Sequence, residues 1–366
     1  APNWRLFQRI SRFRASGNAP YTAATTADPT SEVPLISQWD EIANHNGGDM
    51  AFGPDGYLYI ALGDEGNFFG SFANGIYINR DFFSAILRID VDQRAGNLPP
   101  NPHSQPIAGA LQNPFPSAVH AGTYRIPAGS DANPFIGMTQ WHGQPIAPET
   151  VRTEFFAAGM RNPYRMSFDP ATGRLFCGDV GERRREEVDL IVKGGDYGWW
   201  WREGSIPQEA PDINHAPPDE APSPPILLPV KPSPFTPAEI GYTEESYTDP
   251  IYEYAHLGKY GEARNCIIGG EVARGSGLAE LYGKYLFADY VTGEIAALTE
   301  TGGVWTRQTL MTGYPNITEF GRDPRTGDAL LVNHVSGTVS RIARGAQVSA
   351  PPARLSQTGA FANLPL

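Results

Sequence analysis

Short apolar runs recur along this chain, and each follows a turn rich in Gly, Pro or Asp. Three segments share this order: GPDGYLYIALGD at 53–64, DPATGRLFCGDV at 169–180 and DPRTGDALLVNH at 323–334. Short apolar runs bounded by turn residues are typical of β-strands rather than of long helices. The pattern therefore predicts an all-β protein built from short strands and tight turns.

Two of the predicted hairpins repeat one another. ADYVTGEIAAL at 288–298 and VNHVSGTVSRI at 332–342 align without gaps, and each has the order strand, Thr/Ser-Gly turn, strand. Antiparallel hairpins that recur every 40 to 50 residues or so are typical of propeller blades. We therefore predict a β-propeller over residues 1–344, with a β-sandwich of recurring hairpins as the alternative.

Three stretches depart from the strand pattern. Residues 93–150 are rich in Pro, Asn, Gly and His, and residues 205–250 combine prolines with a run of acids. Both are predicted to be long loops on one face of the propeller, where binding residues often lie. Residues 345–366 are rich in Ala and Pro and are interpreted as a C-terminal tail or linker.

Composition narrows the classes of function. The 366 residues are 40% hydrophobic and 19% charged, and the formal net charge is −12. Such a chain can bury a large core, but it offers no basic stripe for nucleic acid. No apolar run has the length of a membrane span. Of the two cysteines, Cys177 lies in an apolar strand-like run, so we favour a buried free thiol over a disulfide with Cys266.

A histidine and an aspartate flank the first predicted hairpin. His45 precedes the Gly47-Gly48 turn and the strand that starts at Met50, and Asp64 ends the following strand. A hairpin of this length returns the Asp64 carboxylate beside His45. A histidine oriented by a carboxylate is the usual general base, although a histidine that satisfies a loop carbonyl is the structural alternative.

The densest chemical signal lies between residues 159 and 199. Arg161 begins an Arg-Asn-Pro turn and has the planar guanidinium that can bind a carboxylate through two parallel hydrogen bonds. Glu186, Glu187 and Asp189 offer the oxygen ligands that Ca²⁺ prefers. The alternative is that the three arginines at 183–185 pair with these acids on a solvated surface.

Other candidates are weaker on their own. His256 and Arg274 supply a second histidine and another arginine near a predicted loop face. The tryptophans at 199–201 are interpreted as core or rim packing rather than as a sugar platform, because large aromatic side chains usually dominate burial.

These motifs, in this order, resemble the soluble quinoprotein sugar dehydrogenases, the glucose/sorbosone dehydrogenase family. The motifs are HNGGDMAFGPDGYLYIALGDEG, ILRIDVD, GMRNPYRMSFDPATGRLFCGDVGERRREEVDLIVKGGDYGWW and YGKYLFADYVTGEI. The similarity runs from about Phe7 to about Arg344. It implies a six-bladed β-propeller in which pyrroloquinoline quinone lies over the central channel on a Ca²⁺ ion.

The resemblance also implies roles for single residues around the cofactor. His45 corresponds to the catalytic base that takes the proton of the sugar hydroxyl, and Asp64 corresponds to its carboxylate partner. Arg161 polarises the quinone together with Ca²⁺, and Asn162 contacts the cofactor beside it. Arg274 matches a basic position that faces a cofactor carboxylate.

The same resemblance implies two calcium sites. The main-chain carbonyls of Gly181 and Glu182 correspond to ligands of the catalytic Ca²⁺. Glu187 and the carbonyl of Tyr197 correspond to ligands of a neighbouring structural Ca²⁺.

The chain departs from the family pattern in two places. Quinone binders carry a basic cluster late in the chain, whereas residues 316–320 here offer Ile317, Thr318 and Glu319, as in hedgehog-interacting-protein-like branches. The N-terminal blade is incomplete relative to the family. We therefore expect that the chain is truncated at both ends, or that another polypeptide completes the ring.

The leading hypothesis is an exported oxidoreductase that oxidises a sugar or related alcohol and passes electrons to cytochrome c or a quinone. The family works in the periplasm or outside the cell. The first alternative is a calcium-binding propeller that has lost the quinone and serves as a glycan-binding or protein-assembly module. The second is a lyase or hydrolase that uses His45 and Ca²⁺ on a polysaccharide.

Overall fold

The computed structural model describes most of the chain, in two compact units. The described residues are 6–16, 26–40, 42–66, 74–102, 122–199, 201–207, 247–256 and 265–343. Unit 1 takes in residues 1–16, 26–163 and 192–249, and unit 2 takes in residues 17–25, 164–191 and 250–366.

Regular structure in the described residues is almost entirely β. The strands are β1 (Leu6–Ala15), β2 (Ala27–Asp40), β3 (Met50–Phe52), β4 (Leu58–Leu62), β5 (Ala85–Ile89), β6 (Gln140–Trp141), β7 (Gln144–Pro145), β8 (Phe155–Ala158), β9 (Pro163–Phe168), β10 (Leu175–Asp179), β11 (Arg185–Ile191), β12 (Arg202–Glu203), β13 (Ile206–Pro207), β14 (Tyr252–Ala255), β15 (Ile267–Val272), β16 (Tyr285–Asp289), β17 (Ile295–Thr301), β18 (Val304–Met311), β19 (Ile317–Arg322), β20 (Ala329–Asn333) and β21 (Thr338–Arg341). Single 3₁₀ turns occur at Asn74–Ile76, Gly129–Asp131, Pro148–Thr150 and Ala279–Leu281.

Unit 1 is built around a four-stranded antiparallel sheet in the order β3-β4-β5-β8. A long insertion separates β5 from β8 and contains the small β6–β7 hairpin. A second pair, β1–β2, is antiparallel along most of its length. A large core cluster of this unit contains the fully buried side chains of Phe82, Leu87 and Phe155, and a smaller cluster contains Ile76 and Trp199. Burying each such side chain contributes about 1.5–3 kcal/mol.

Unit 2 contains two further four-stranded sheets and one three-stranded sheet. Their orders are β14-β11-β10-β9, β15-β16-β17-β18 and β19-β20-β21, with antiparallel neighbours wherever a register is defined. Two core clusters fill this unit, one around Leu286 and Phe320 and the other around Phe176 and Tyr285. Sheets of four antiparallel strands are the repeating element of a propeller.

The strand predictions hold at the level of single elements. The three turn-strand segments contain β4, β10 and β20. The two repeated segments cover the turns of the β16–β17 and β20–β21 hairpins with the adjoining parts of their strands. The predicted loop at 93–150 is described in part and includes β6 and β7, whereas most of the loop at 205–250 and the predicted tail at 345–366 lie outside the described residues.

Two further expectations concern single features. Cys177 and Cys266 are both free, and Cys177 is fully buried, as predicted. Within the described ranges the structure contains no helix with the length and hydrophobicity that a bilayer crossing requires.

Candidate functional site

His45 lies in the loop between β2 and β3 with a left-handed backbone, at φ 48°. L-residues adopt this conformation at a cost, so the loop around them must hold it. The neighbouring chain approaches very closely, because a Cβ atom added at Gly63 would overlap the carbonyl group of His45. A glycine at position 63 therefore lets the end of β4 lie directly against the histidine.

Asp64 follows this glycine and bonds the imidazole. His45 Nδ1 and Asp64 Oδ1 are 2.6 Å apart, and only 2% of the aspartate side chain is exposed. The second carboxylate oxygen, Oδ2, accepts the indole N–H of Trp199 at 2.7 Å. The Asp64 backbone N–H donates to the carbonyl of Arg161 at 2.9 Å. The contact predicted from the hairpin is present, and Trp199 and Arg161 join it.

The charges of this cluster set its protonation. Burial lowers the pKa of His45 below its ordinary value, the Arg161 charge lowers it further, and Asp64 acts in the opposite direction. Burial alone would raise the pKa of Asp64, but His45 and Arg161 outweigh it, so the net pKa is lowered. At neutral pH the cluster therefore holds an ionised carboxylate beside a neutral imidazole. Because Nδ1 donates to Asp64, Nε2 carries the lone pair that accepts a proton.

Arg161 brings a positive charge to the same cluster. Its guanidinium lies 5.3 Å from the ring centroid of Trp199, within the range of a cation–π contact. The indole therefore contacts both charged partners, the carboxylate through its N–H and the guanidinium through its face. Asn162 follows in the chain and is half-buried.

Asn74 supports the main chain around Asp64. The amide of Asn74 donates to the main-chain carbonyl of Asp64 at 3.0 Å and to the Glu65 carboxylate at 2.6 Å. Glu65 is fully buried and left-handed, at φ 71°. Two non-glycine residues in this unusual conformation, His45 and Glu65, thus flank the Gly63-Asp64 step.

The predicted calcium residues lie in both units and are described unit by unit. In unit 2, the backbone N–H of Gly181 donates to the Glu186 carboxylate at 3.4 Å, Glu182 is half-buried, and Glu187 is buried. In unit 1, Tyr197 is buried and its hydroxyl accepts the backbone N–H of Val192 at 3.0 Å. Among the described residues, no three His, Cys, Asp or Glu side chains converge on one point as in a metal cluster. The calcium sites stay a prediction that rests on main-chain oxygens and Glu187.

Glu186, a predicted calcium ligand candidate, binds a histidine and a backbone amide instead. Its carboxylate pairs with His256 Nε2 at 2.6 Å and accepts the backbone N–H of Ile267 at 2.9 Å. Both side chains are buried, and burial raises the pKa of Glu186 despite these partners. Glu186 and His256 therefore tie β11 to β14 and β15.

Asp189 is the most unusual acid of unit 2. It is fully buried, and neither carboxylate oxygen has a hydrogen-bond partner among the described residues. Burial, followed by the charge of nearby Asp179, raises its pKa well above the ordinary value. Asp189 lies opposite Cys177 and Asp179 lies opposite Glu187, so the two aspartates are diagonal neighbours across β10 and β11.

Arg274 is bound within unit 2. Its guanidinium forms a bidentate pair with Asp169, at 2.8 and 2.6 Å, and lies over the ring of Tyr282. The role that the resemblance gives it, facing a cofactor carboxylate, stays a prediction. The bond to Asp169 and two further hydrogen bonds lower the pKa of that carboxyl to about 2, although burial opposes them.

The stretch at 316–320 is also occupied by structural contacts. Ile317 is buried in a core cluster of unit 2, and Glu319 pairs with Arg165. No basic side chain lies in this stretch.

Sequence reasoning missed several contributors to the site. Trp199 was interpreted as packing, and it is buried, but its indole also binds Asp64 from 135 positions away. Asn74 carried no signal, because a lone asparagine beyond a strand is an ordinary loop residue. His142 and Asp196 form a second buried histidine-aspartate pair in unit 1, at 2.6 Å.

Comparison with known proteins identifies the family that this chain resembles. Residues 135–248 match the family model described as Glucose / Sorbosone dehydrogenase. The matched segment contains Arg161 and residues 181–197 but neither His45 nor Asp64. The resemblance found in the sequence motifs is confirmed.

Two curated relatives extend the similarity along the chain. HIPL2 protein from Arabidopsis thaliana is 31% identical over 296 residues, which are 80% of this chain and 35% of that protein. Aldose sugar dehydrogenase YliI from Escherichia coli (strain K12) is 28% identical over 156 residues, 43% of this chain and 29% of that protein. The chain thus spans about a third of the length of each relative.

A solved structure shows the same fold. A glucose dehydrogenase superposes with a TM-score of 0.53 at 15% identity, covering 94% of this chain and 78% of that one. Structural neighbours of this kind are β-propellers, so the all-β propeller fold predicted from the sequence is confirmed.

Proposed function

Because the resemblance to the glucose/sorbosone dehydrogenase family is confirmed, we propose that this chain carries the active centre of a quinone-dependent oxidoreductase. Its substrate class is a sugar or a related alcohol, and a cytochrome c or a quinone is the electron acceptor. The observation that carries the proposal is the His45–Asp64 pair, at 2.6 Å and with a buried aspartate, beside the positive charge of Arg161.

His45 is the general base of this proposal. Its pKa is lowered by burial and by Arg161, so the imidazole is neutral at physiological pH and ready to take a hydroxyl proton at Nε2. Asp64 holds Nδ1, fixes the tautomer and stabilises the imidazolium that forms when the proton arrives. Trp199 keeps the carboxylate from turning away, and Asn74 holds the main chain of Asp64 through its carbonyl.

Unit 1 supplies a positively charged side chain, Arg161, that suits the oxygens of a quinone cofactor. The family cofactor, pyrroloquinoline quinone held with Ca²⁺, supplies the acceptor for the hydride when it is bound. Arg161 presents a guanidinium that matches carboxylate and quinone oxygens, and this guanidinium lies over the ring of Trp199. Arg161 and Asn162 of unit 1 would hold the cofactor. In unit 2, taken by itself, the carbonyls of Gly181 and Glu182 are hard oxygen donors of the type that Ca²⁺ accepts.

A binding module without quinone is the second candidate, and one stretch favours it. At residues 316–320 the chain has a buried Ile317 and a Glu319 paired with Arg165, where quinone binders carry basic side chains. HIPL2 protein, whose similarity extends over 80% of this chain, is not named as a dehydrogenase. In this reading His45 and Arg161 contact a glycan or a protein partner without turnover.

Reconstitution separates the two candidates. The protein is incubated with pyrroloquinoline quinone and Ca²⁺, freed of unbound cofactor, and assayed for quinone absorbance and for dye reduction with a panel of aldoses. We expect bound quinone and sugar-dependent reduction. A protein that retains no quinone under these conditions contradicts the dehydrogenase and favours the binding module.

Replacement of the base tests the role of His45 directly. Asparagine tolerates the left-handed backbone at φ 48°, so His45→Asn removes the imidazole while the loop keeps its conformation. We expect quinone binding to persist and kcat to fall by a factor of about 100 or more, the range of general base catalysis. His334→Asn, in unit 2 and stacked on Tyr290, is the matched control and should keep its rate. Full activity of His45→Asn would show that the base lies elsewhere.

A further inference from the structure

The hairpin β6–β7 carries a histidine in its turn. Gln140 pairs with Pro145 and Trp141 pairs with Gln144, so the loop is His142-Gly143 alone. Both loop residues are left-handed, at φ 47° and 71°. A two-residue turn of this type favours Asn-Gly, although histidine is also among the residues that adopt a left-handed backbone. The contacts of the imidazole therefore decide what this residue adds to the turn.

The imidazole reaches a buried carboxylate. His142 Nε2 lies 2.6 Å from Asp196 Oδ2, and the two side chains are 6% and 7% exposed. The ring also stacks on Trp141, with centroids 4.3 Å apart and an angle of 26° between the planes. A short, buried, charge-assisted hydrogen bond of this kind fixes both partners.

Asp196 in turn fixes the segment that carries Trp199. Its Oδ1 accepts the backbone N–H of Gly198 at 3.1 Å. Residues 195–199 run alongside residues 158–159, and three backbone hydrogen bonds of 2.9 to 3.0 Å join the two segments. A side chain at Gly159 would overlap Asp196 Oδ1, so the two segments meet at this carboxylate.

Trp141, the neighbour of His142, fixes the other support of the site. Its indole N–H donates to the carbonyl of Ile76 at 2.8 Å. Ile76 ends the 3₁₀ turn that begins at Asn74, and the amide of Asn74 holds the Asp64 carbonyl. One hairpin therefore contacts both segments that hold Asp64, the turn at 74–76 and the segment at 195–199.

We propose that His142 is a positioning residue for the His45–Asp64 pair, acting through Asp196 and the Trp199 indole. The chain of contacts is His142 to Asp196, Asp196 to Gly198, and Trp199 to Asp64 Oδ2. Releasing Asp196 frees the segment at 195–199 to move, and the carboxylate then loses the fixed donor that orients it toward the imidazole. The kinetic consequence rests on the proposed dehydrogenase function, whereas the effect on the His45 environment does not.

The test is His142→Asn, followed through the imidazole of His45. Asparagine suits the left-handed turn, so the hairpin keeps its fold, but its side chain is too short to reach Asp196. The Hε1 resonance of His45, identified as the signal that His45→Asn lacks among seven histidines, is titrated by NMR. We expect the resonance to move and its titration midpoint to change in His142→Asn.

Two matched variants separate positioning from general damage. In His142→Gln the amide nitrogen reaches about as far as the imidazole Nε2, so the bond to Asp196 and the wild-type titration should return. Gln93→Asn changes an exposed left-handed residue of the same unit, at φ 57°, and should leave the His45 resonance unchanged. With quinone and sugar, we expect kcat of His142→Asn to fall about tenfold with KM nearly unchanged, as for other residues that orient a reacting group.

Each outcome decides the proposal. A His45 titration in His142→Asn that superimposes on the wild type overturns it, whatever the activity. If His142→Asn unfolds, His142→Gln decides the proposal. A changed His45 titration in folded His142→Gln, although its amide still bonds Asp196, contradicts the proposal. If the wild type oxidises no sugar but the His45 resonance still responds to His142→Asn, the proposed function fails and the positioning role stands.

Discussion

At the scale of single residues, the candidate site is held by conformations that few side chains accept. His45 and Glu65 are left-handed at φ 48° and 71°, and Gly63 between them leaves space for the His45 carbonyl. Each left-handed L-residue costs about 1–2 kcal/mol. The hydrogen bonds from Asn74 and Trp199 to Asp64 hold the neighbouring segment in place despite this cost. The imidazole is thus held in a fixed position by a backbone that is locally unfavourable.

Removal of the Asp64 charge tests how this carboxylate controls the protonation of His45. Asp64 raises the pKa of His45, opposing burial and Arg161, so Asp64→Asn should lower that pKa further. Activity that needs the neutral imidazole is lost as pH falls through the pKa of His45, so the acid limb of the kcat profile should move to lower pH. We expect kcat to fall about 100-fold or more at the same time, because the imidazole loses its orientation and its counter-charge.

The measurement for Asp64→Asn is kcat against pH with reconstituted quinone, beside Asp49→Asn as a control on the same loop. The Asp49 carboxylate accepts the backbone N–H of Met50, the first residue of β3. An acid limb that stays in place in Asp64→Asn would show that a group other than His45 controls the profile.

The contrast between predicted and missed residues follows from sequence distance. His45 and Asp64 lie 19 positions apart across one hairpin, so strand length alone brings them together. Trp199 lies 135 positions from Asp64, and His142 lies 54 positions from Asp196. Those contacts depend on how separate sheets and insertions pack, which no local pattern of apolar and polar residues encodes.

At the scale of elements, strand pairing places acids where water does not reach. The register of β10 and β11 sets Asp189 opposite Cys177 and Asp179 opposite Glu187. The alternation of a strand then points Asp189, Glu187 and Asp179 to one face, and all three are buried. The apolar pattern of FCGDV predicts the strand β10, but it does not show that the acid at its end faces another acid.

The pairing leads to a stability prediction for Asp189→Asn. A buried carboxylate without a hydrogen-bond donor among the described residues destabilises the folded state, and nearby Asp179 adds to this. The isosteric amide carries no charge, so we expect the free energy of unfolding in EDTA at neutral pH to rise by about 1 kcal/mol or more. Urea titration followed by circular dichroism measures it. Asp131→Asn removes an exposed carboxylate and should leave the urea midpoint unchanged. If Asp189→Asn is instead less stable than the wild type, the Asp189 charge has a stabilising partner.

At the scale of the whole molecule, the propeller prediction came from turn chemistry and repetition. Glycine and aspartate turns mark where β4, β10 and β20 begin, and the repeated hairpins at 288–298 and 332–342 indicate one recurring unit. The β6–β7 hairpin was hidden inside a stretch interpreted as a long loop, because two-residue strands are too short to show a period. Repetition therefore predicts the scaffold, while the insertions that bear on the site have to be observed.

The whole chain carries a formal charge of −12, and the resemblance implies that Ca²⁺ is held with Glu187 among its ligands. Ligand that binds only the folded state raises the free energy of unfolding, by about 2.7 kcal/mol at a concentration of 100 times Kd. We therefore expect Ca²⁺ to raise the melting temperature above that in EDTA, and Glu187→Gln to lose most of the rise. Mg²⁺ at equal concentration controls for screening of the acidic surface, since Mg²⁺ demands a tighter octahedral set of ligands. Equal rises with Mg²⁺ and Ca²⁺, or a full rise in Glu187→Gln, would contradict a specific site at Glu187, and the gain would then come from reduced repulsion among the surface acids.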